Sequence, residues 1–421
     1  MRLILLLLLT TPAFAQTIVL KAARMIDGTG AAPVANAVVI IEGDTITAAG
    51  SNLAIPAKAK VIDLGSATLL PGFIDAHTHL IGRPLGEPGW DDENVRDLEG
   101  YGAIRGVENA GKTLMHGITT VRNVGASYYN DVALRQAINE GHAAGPRMRT
   151  AGHAIGITGG HCDDNGLRPG IIERGPRDGV ANGAEEVRTA VRYQVKFGAD
   201  VIKVCATGGV LSEGDAVGAT QYTYEELKAI VDEASKLERK VAAHAHGTEG
   251  IKLAVRAGVS SIEHGSFLDE EGAKMMAEHG TYLVPTLSAV EAVEKAAKSG
   301  VLKGLRAEKA LAAAAGARKA VKIAIANRVP IAMGTDAGVG AHGANMHELA
   351  LLVEWGGMKP LEAITAATMS GAKLLGWEKR IGSIAAGKYA DLIAVAADPL
   401  QDIHALDEVS FVMKGGVVYK Q

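Results

Sequence analysis

Pro71-Gly72-Phe73-Ile74-Asp75-Ala76-His77-Thr78-His79 is the stretch on which the fold turns. Behind a Pro-Gly turn, Phe73 to His79 reads as a strand, and alternation sends Asp75, His77 and His79 to one face. Two imidazoles two residues apart on one strand can share a cation. An H-x-H pair alone is equally a structural histidine pair, so the rest of the chain decides. Seven further strand-like runs follow: Ile118 to Asn123, Met148 to His153, Asp200 to Ala206, Val241 to His246, Ser260 to His264, Tyr282 to Thr286 and Pro330 to Asp336. Helical patterns separate the better marked of them. Tyr224 to Leu237 carries apolar residues at helical spacing behind a Thr223-x-x-Glu226 capping box, and Pro360 opens a helix running to Leu375. Eight strands alternating with helices predict an α/β fold, a (β/α)8 TIM barrel over residues 73–379. In that fold chemistry belongs at the C-terminal ends of the strands.

Outward from the barrel, both ends of the chain change texture. Short apolar runs separated by turns occupy residues 16–72, as in Ile18-Val19-Leu20 and Ala37 to Ile41 before Gly43-Asp44, and they return in residues 380–421 at Ala390 to Val395 and Ser410 to Met413. Two β-rich ends around a different middle predict one composite β-sandwich. Residues 1–15 read as a signal peptide: Arg2, the apolar run Leu3 to Leu9, and Ala13-Phe14-Ala15 as a cleavage site, with an uncleaved anchor as the other reading. Cleavage after Ala15 implies a secreted or periplasmic protein, and the run is too short to span a membrane.

Composition narrows the function classes. The 421 residues carry a net charge of −4, with 48% apolar and 21% charged residues. This is a globular balance that gives no electrostatic reason to expect nucleic acid. Two cysteines exclude a disulfide scaffold. Cys162 and Cys205 are read as free, buried thiols, although an oxidising compartment permits a bond between them.

The ligand-type residues collect where the barrel reading wants them. On the fourth strand Ile202, Val204 and Ala206 form the apolar face, so Lys203 points inward with Val201 and Cys205. An ammonium there needs a buried acid or conversion by CO2 to a carbamate that can join two cations. The fifth strand ends in His244-Ala245-His246, the sixth in Glu263-His264-Gly265 and the eighth in Gly334-Thr335-Asp336. A lone buried histidine is more often a hydrogen-bonded core residue than a ligand. Four strand ends and the first strand's pair together are hard to read that way.

At this point the chain resembles the metal-dependent amidohydrolase superfamily. His77-Thr78-His79 after Pro71 to Asp75, then Lys203, His244, His264 and Asp336, stand in the superfamily's order, and Gly382 to Leu392 is similar to its closing run. Ile155 to Asp163 and Lys203 to Ser212 resemble the imidazolonepropionase-like branch. Within it the chain looks similar to zinc carboxypeptidases, Xaa-Pro and Xaa-basic dipeptidases, and bacterial amidohydrolases that hydrolyse ochratoxin A. The resemblance implies two divalent ions, with zinc the default and cobalt or manganese fitting the same donors. His77, His79 and Asp336 would hold one, His244 and His264 the other, and carboxylated Lys203 would bridge them. It implies hydrolysis of a peptide-like amide near a free carboxylate by a metal-bridging hydroxide, with Asp336 moving the proton. His161, in the loop after the third strand, is expected to donate to the oxyanion or hold the substrate. His153 and Tyr222 are the other substrate residues, with Tyr224 competing with Tyr222. His246 is expected behind the ligands, and Arg168, Arg174 and Arg177 either meet a carboxylate or face solvent. The expected partners are a small amide or dipeptide and further copies of the chain in a homo-oligomer. The same centre would also serve a cyclic amide, lactone or phosphotriester hydrolase, or survive in a catalytically silent scaffold.

Overall fold

The computed structural model describes residues 16–421; the expected leader, 1–15, lies outside the described residues. The chain opens with β1 (Ile18–Met25), β2 (Val34–Glu42), β3 (Thr45–Ser51), β4 (Lys60–Asp63) and β5 (Thr68–Pro71). After one glycine it continues into β6 (Phe73–Thr78), then β7 (Ile118–Asn123), β8 (Arg147–Thr150), β9 (Val201–Cys205), β10 (Lys240–Ala245), β11 (Ser261–His264) and β12 (Tyr282–Val284). It closes with β13 (Leu392–Val395), β14 (Val409–Lys414) and β15 (Val417–Lys420).

The two ends meet in one hydrogen-bonded sheet. Its order is β15-β14-β13-β5-β1-β2-β3, with β4 added to β1. Leu392 lies opposite Pro71 and Ile393 opposite Leu70, antiparallel. Leu20, Val39, Ile41, Leu69, Leu392 and Phe411 bury a common apolar face, at about 1.5–3 kcal/mol for each large aliphatic side chain.

The middle of the chain forms two parallel sheets, β6-β7-β8 and β9-β10-β11-β12. Both faces of these strands are covered. Every residue of β9 is buried, as expected of parallel strands with helices outside. Ile202, Val204, Ala243 and Ile262 pack with Val187, Ile230, Ile251 and Val321 of the surrounding helices. The Thr223 and Glu226 capping box forms as expected and starts the helix Tyr224–Lys236.

The segment expected as the eighth strand behaves differently. Isolated parallel bridges join Leu283 to Ile331 and Thr78 to Ala337, and Ala76 N donates to the Met333 carbonyl at 2.9 Å, yet no regular ladder forms there. Met333 N turns away to the Ala366 carbonyl at 3.1 Å. That acceptor stands at a π-helical turn, Ala366–Ser370, which interrupts the helix expected from Pro360 to Leu375. Such turns alter the regular backbone pairing. A further parallel bridge, Ile155 to Val204, links the chain beyond β8 to β9.

Candidate metal centre

β6 delivers His77 beside a buried ionic network. Its Nδ1 lies 2.7 Å from Glu263 Oε2, and Glu263 Oε1 accepts from Arg122 Nη2 at 2.8 Å. The Arg122 Nε donates to the Ala76 carbonyl at 2.6 Å. Glu263 and Arg122 are both buried, so each answers a charge that would otherwise be costly there. A carboxylate on Nδ1 leaves Nε2 as the atom His77 turns to the cavity, the arrangement in which histidine ligates metals well.

Four further rings are anchored through Nδ1. His79 Nδ1 lies 3.2 Å from the Gly125 carbonyl, His264 Nδ1 2.7 Å from Thr286 Oγ1, His246 Nδ1 2.8 Å from Ser266 Oγ, and His161 Nδ1 2.9 Å from Ser212 Oγ. Two groups of three donors result, His77 with His79 and Asp336, and His244 with His246 and His264. Within each, the ligand atoms lie within 4.8 Å of one another. Asp336 Oδ1 is 3.5 Å from His77 Nε2 and 3.4 Å from His79 Nε2. His77 Nε2, His244 Nε2 and Asp336 Oδ1 are buried without any hydrogen-bond partner. Orphans of this kind are rare and costly unless something else takes their lone pairs. A divalent cation in each group fits them.

Backbone geometry at the strand ends serves this convergence. His264 and Asp336 are left-handed, with φ of 71° and 59°, a conformation that concentrates at functional sites. Two glycines make room: a Cβ on Gly334 would come within 2.9 Å of His77 Cβ, and one on Gly209 would strike the His161 ring. Asp75, below His77 on the same strand, accepts from Thr335 Oγ1 at 2.6 Å and Asn345 Nδ2 at 2.7 Å, bracing the residue before Asp336.

Burial sets the charges. It drives His77, His244 and His264 well below the usual imidazole range, with the Lys203 charge adding to the effect at His77. All three are therefore neutral, ligand-ready imidazoles at pH 7. Burial pushes Asp336 up to about 6 against the pull of Lys203. It brings Lys203 down to about 8, opposed by Glu263 and Asp336.

His77, His79, Lys203, His244, His264 and Asp336 line one cavity of about 170 Å³. His161 and His246 share it, and His246, expected behind the ligands, supplies a third nitrogen to the group of His244 and His264. His161 stacks on His244 with ring centres 4.1 Å apart. Its neighbour Ser212 gives its hydroxyl proton to Asp215 Oδ1 at 2.7 Å, and Lys309 holds Asp215 at 3.0 Å. Ser212 Oγ must then accept from His161 Nδ1–H, which leaves a lone pair on Nε2. Burial lowers the ring's pKa to about 4. The neutral tautomer that this chain favours offers a lone pair at Nε2, whereas an oxyanion donor needs an N–H there.

His153 lines a wider vestibule of about 420 Å³ with Arg174 and Tyr128. Its Nε2 accepts from Tyr128 N at 3.2 Å. Tyr222, expected to hold the substrate's carboxylate, is only 1% exposed, and its hydroxyl donates to the Ala181 carbonyl at 2.8 Å. The apolar side of the following capping box has drawn it into the core. Tyr222→Phe should leave KM within about twofold and cost about 1 kcal/mol of stability through the lost hydrogen bond, as read by substrate titration and denaturant melts. Tyr224, its competitor, stands exposed at the helix start. Cys162 and Cys205, expected as free thiols, are joined in a disulfide with Cα atoms 6.0 Å apart. The loop after β8 is laid along β9, where Ile155 N donates to the Lys203 carbonyl and Cys205 N to the Ile155 carbonyl, both at 2.8 Å.

The sequence reading passed over Glu263, Arg122, Ser212, Asp215 and Thr286. Arg122 did leave a signal, since an arginine inside the buried run Ile118 to Asn123 demands a buried acid.

Parallel sheets under helices, with two nitrogen-rich donor groups at the strand ends, define the class of metal-dependent hydrolases. The chain belongs to the Amidohydrolase family, whose profile matches residues 68–419. It is a hydrolase of amide or peptide bonds. It is 37% identical to the ochratoxinase of Aspergillus niger, over 96% of this chain and 87% of that one. It is 26% identical to the imidazolonepropionase of Idiomarina loihiensis, over 89% of each. A solved structure, a Xaa-Pro dipeptidase with methionine bound in its active site, superposes with a TM-score of 0.92 at 39% identity, covering 96% of this chain and all of that one. No helix of the described residues is long and apolar enough to cross a membrane.

Proposed function

We propose that the chain is a binuclear amidohydrolase that cleaves a peptide-like amide beside a free carboxylate, in the manner of a dipeptidase or carboxypeptidase, with N-acyl amino acids among its substrates. The observation that carries this is the pair of three-donor groups on one cavity with buried, partnerless ligand atoms. His77, His79 and Asp336 would hold one divalent ion and His244 and His264 the other, with Lys203, once carboxylated, as the ligand common to both. Zinc suits the imidazole and carboxylate donors. When bound, the ions polarise the carbonyl and acidify water to a pKa of about 7.

The chain's own residues do the rest. Asp336 takes the proton of the attacking water and passes it to the departing amine nitrogen, the two-way role of a general base that then acts as an acid. His161 receives a substrate N–H or O–H at Nε2. The vestibule wall carrying His153 and Arg174 faces the carboxylate end. The names of two relatives, an ochratoxinase and a Xaa-Pro dipeptidase, support an amide substrate bearing a carboxylate. We read the two parallel sheets and the 330–337 segment as a (β/α)8 barrel over 73–379, with the isolated bridges in support. The terminal sheet is read as a sandwich of 16–72 and 380–421 behind an export leader.

Metal analysis with a product screen tests the function. Two equivalents of zinc or cobalt per chain should accompany release of amino acids from dipeptides and N-acyl amino acids. Turnover confined to lactones, hydantoins or phosphotriesters in the same screen would overturn the amide reading.

A further inference from the structure

Glu348 is a fully buried carboxylate in the first turn of the helix His347–Glu354. Its Oε1 accepts from Leu287 N at 2.8 Å, and its Oε2 accepts from Ser288 N at 2.7 Å and Ser288 Oγ at 2.8 Å. Those amides open the helix Leu287–Ser299. The first N–H groups of a helix lack partners within it, and the Glu348 side chain supplies acceptors for two of them although burial pushes its carboxyl up to about 8. The residue just before them, Thr286, is left-handed at φ 49°, an unfavourable conformation for a β-branched side chain. Thr286 Oγ1 is the atom 2.7 Å from His264 Nδ1. A continuous path therefore runs from Glu348 through the helix start to the far side of the His264 ring.

We propose that Glu348 is a positioning residue for His264. By clamping the amides of Leu287 and Ser288 it holds Thr286 in its left-handed corner, and Thr286 then fixes the aim of the His264 ring toward the ion shared with His244. The inference rests on the two-ion reading above. The larger effect falls on the ion of His264, because that is the ligand Thr286 touches; on the Asp336 side Glu348 has only a backbone link, its N–H to the carbonyl of Asn345, whose side chain braces Asp75.

The test is a zinc titration of chelator-stripped full-length protein against a chromophoric chelator. Wild type should bind two equivalents. Glu348→Ala and Thr286→Val should weaken one of them about 10- to 100-fold and leave the other within about twofold, while Glu348→Gln, whose amide oxygen still accepts an N–H, recovers part of the loss. Wild-type zinc binding in folded Glu348→Ala or Thr286→Val overturns the proposal, even if melting temperature falls. Equal weakening of both ions overturns it too. If Glu348→Ala does not fold, Thr286→Val and Glu348→Gln decide. A wild type that binds fewer than two ions would instead sink the two-ion reading.

Discussion

Asp336→Asn should lose turnover by about a thousandfold or more while the metal-free protein melts no lower than wild type. The catalytic loss follows from the proton: an amide can neither take it from the attacking water nor return it to the amine, and such groups contribute about 10²- to 10⁴-fold. Losing a charged metal donor adds to it. Stability should survive for two reasons. Asparagine tolerates the left-handed backbone that residue 336 adopts, with φ of 59°. Burial also raises the folded-state pKa of Asp336 to about 6, so at neutral pH the ionised carboxylate is less favourable there than in the unfolded chain. Replacing it with a neutral isostere removes that cost from the empty protein. Paired measurements of kcat and metal-free melting temperature check the result. Near-wild-type turnover with metal bound would remove Asp336 from the chemistry.

Lys203→Ala should carry the second large effect, with bound metal falling below two equivalents and activity falling at least a hundredfold. The same lysine gives a pH signature in wild type. Carbamate formation needs the neutral amine, and Lys203, brought down to about 8 by burial, is about half neutral at pH 8 and about one hundredth neutral at pH 6. Protein stripped of metal and CO2, then resupplied with zinc at a fixed concentration of dissolved CO2, should regain activity about ninefold faster at pH 7 than at pH 6 and about fivefold faster again at pH 8. A flat rate over that range, or a Lys203→Ala protein that keeps two ions, would contradict the bridging role.

The parts of the site legible in the sequence were those that strand geometry exposes directly. A period of two put His77 and His79 on one face and turned Lys203 inward, and in the structure both readings converge on the cavity that also receives His244, His264 and Asp336. The supporting contacts were not legible, because they join residues with no local pattern between them. Glu263 reaches His77 from another strand, and Glu348 reaches Thr286 from another helix. Tyr222 was misplaced because a capping box marks where a helix begins but not which way the preceding side chain turns. The segment after Pro330 was expected as a regular strand. The π-helical turn that takes the Met333 amide depends on a helix more than thirty residues further on.

The terminal sheet has a consequence for how the chain is made. Leu392 lies opposite Pro71, and β5 leads through one glycine into the strand that carries His77 and His79. On a ribosome β13 is made more than 300 residues after β5, so the edge of β5 waits that long to be covered. Long-range pairings of this kind form slowly and leave the nascent chain open in the meantime. Completion of the sheet therefore waits until β13 has been made, and a deletion reaching β13 would strip a neighbour from the strand that leads into His77 and His79.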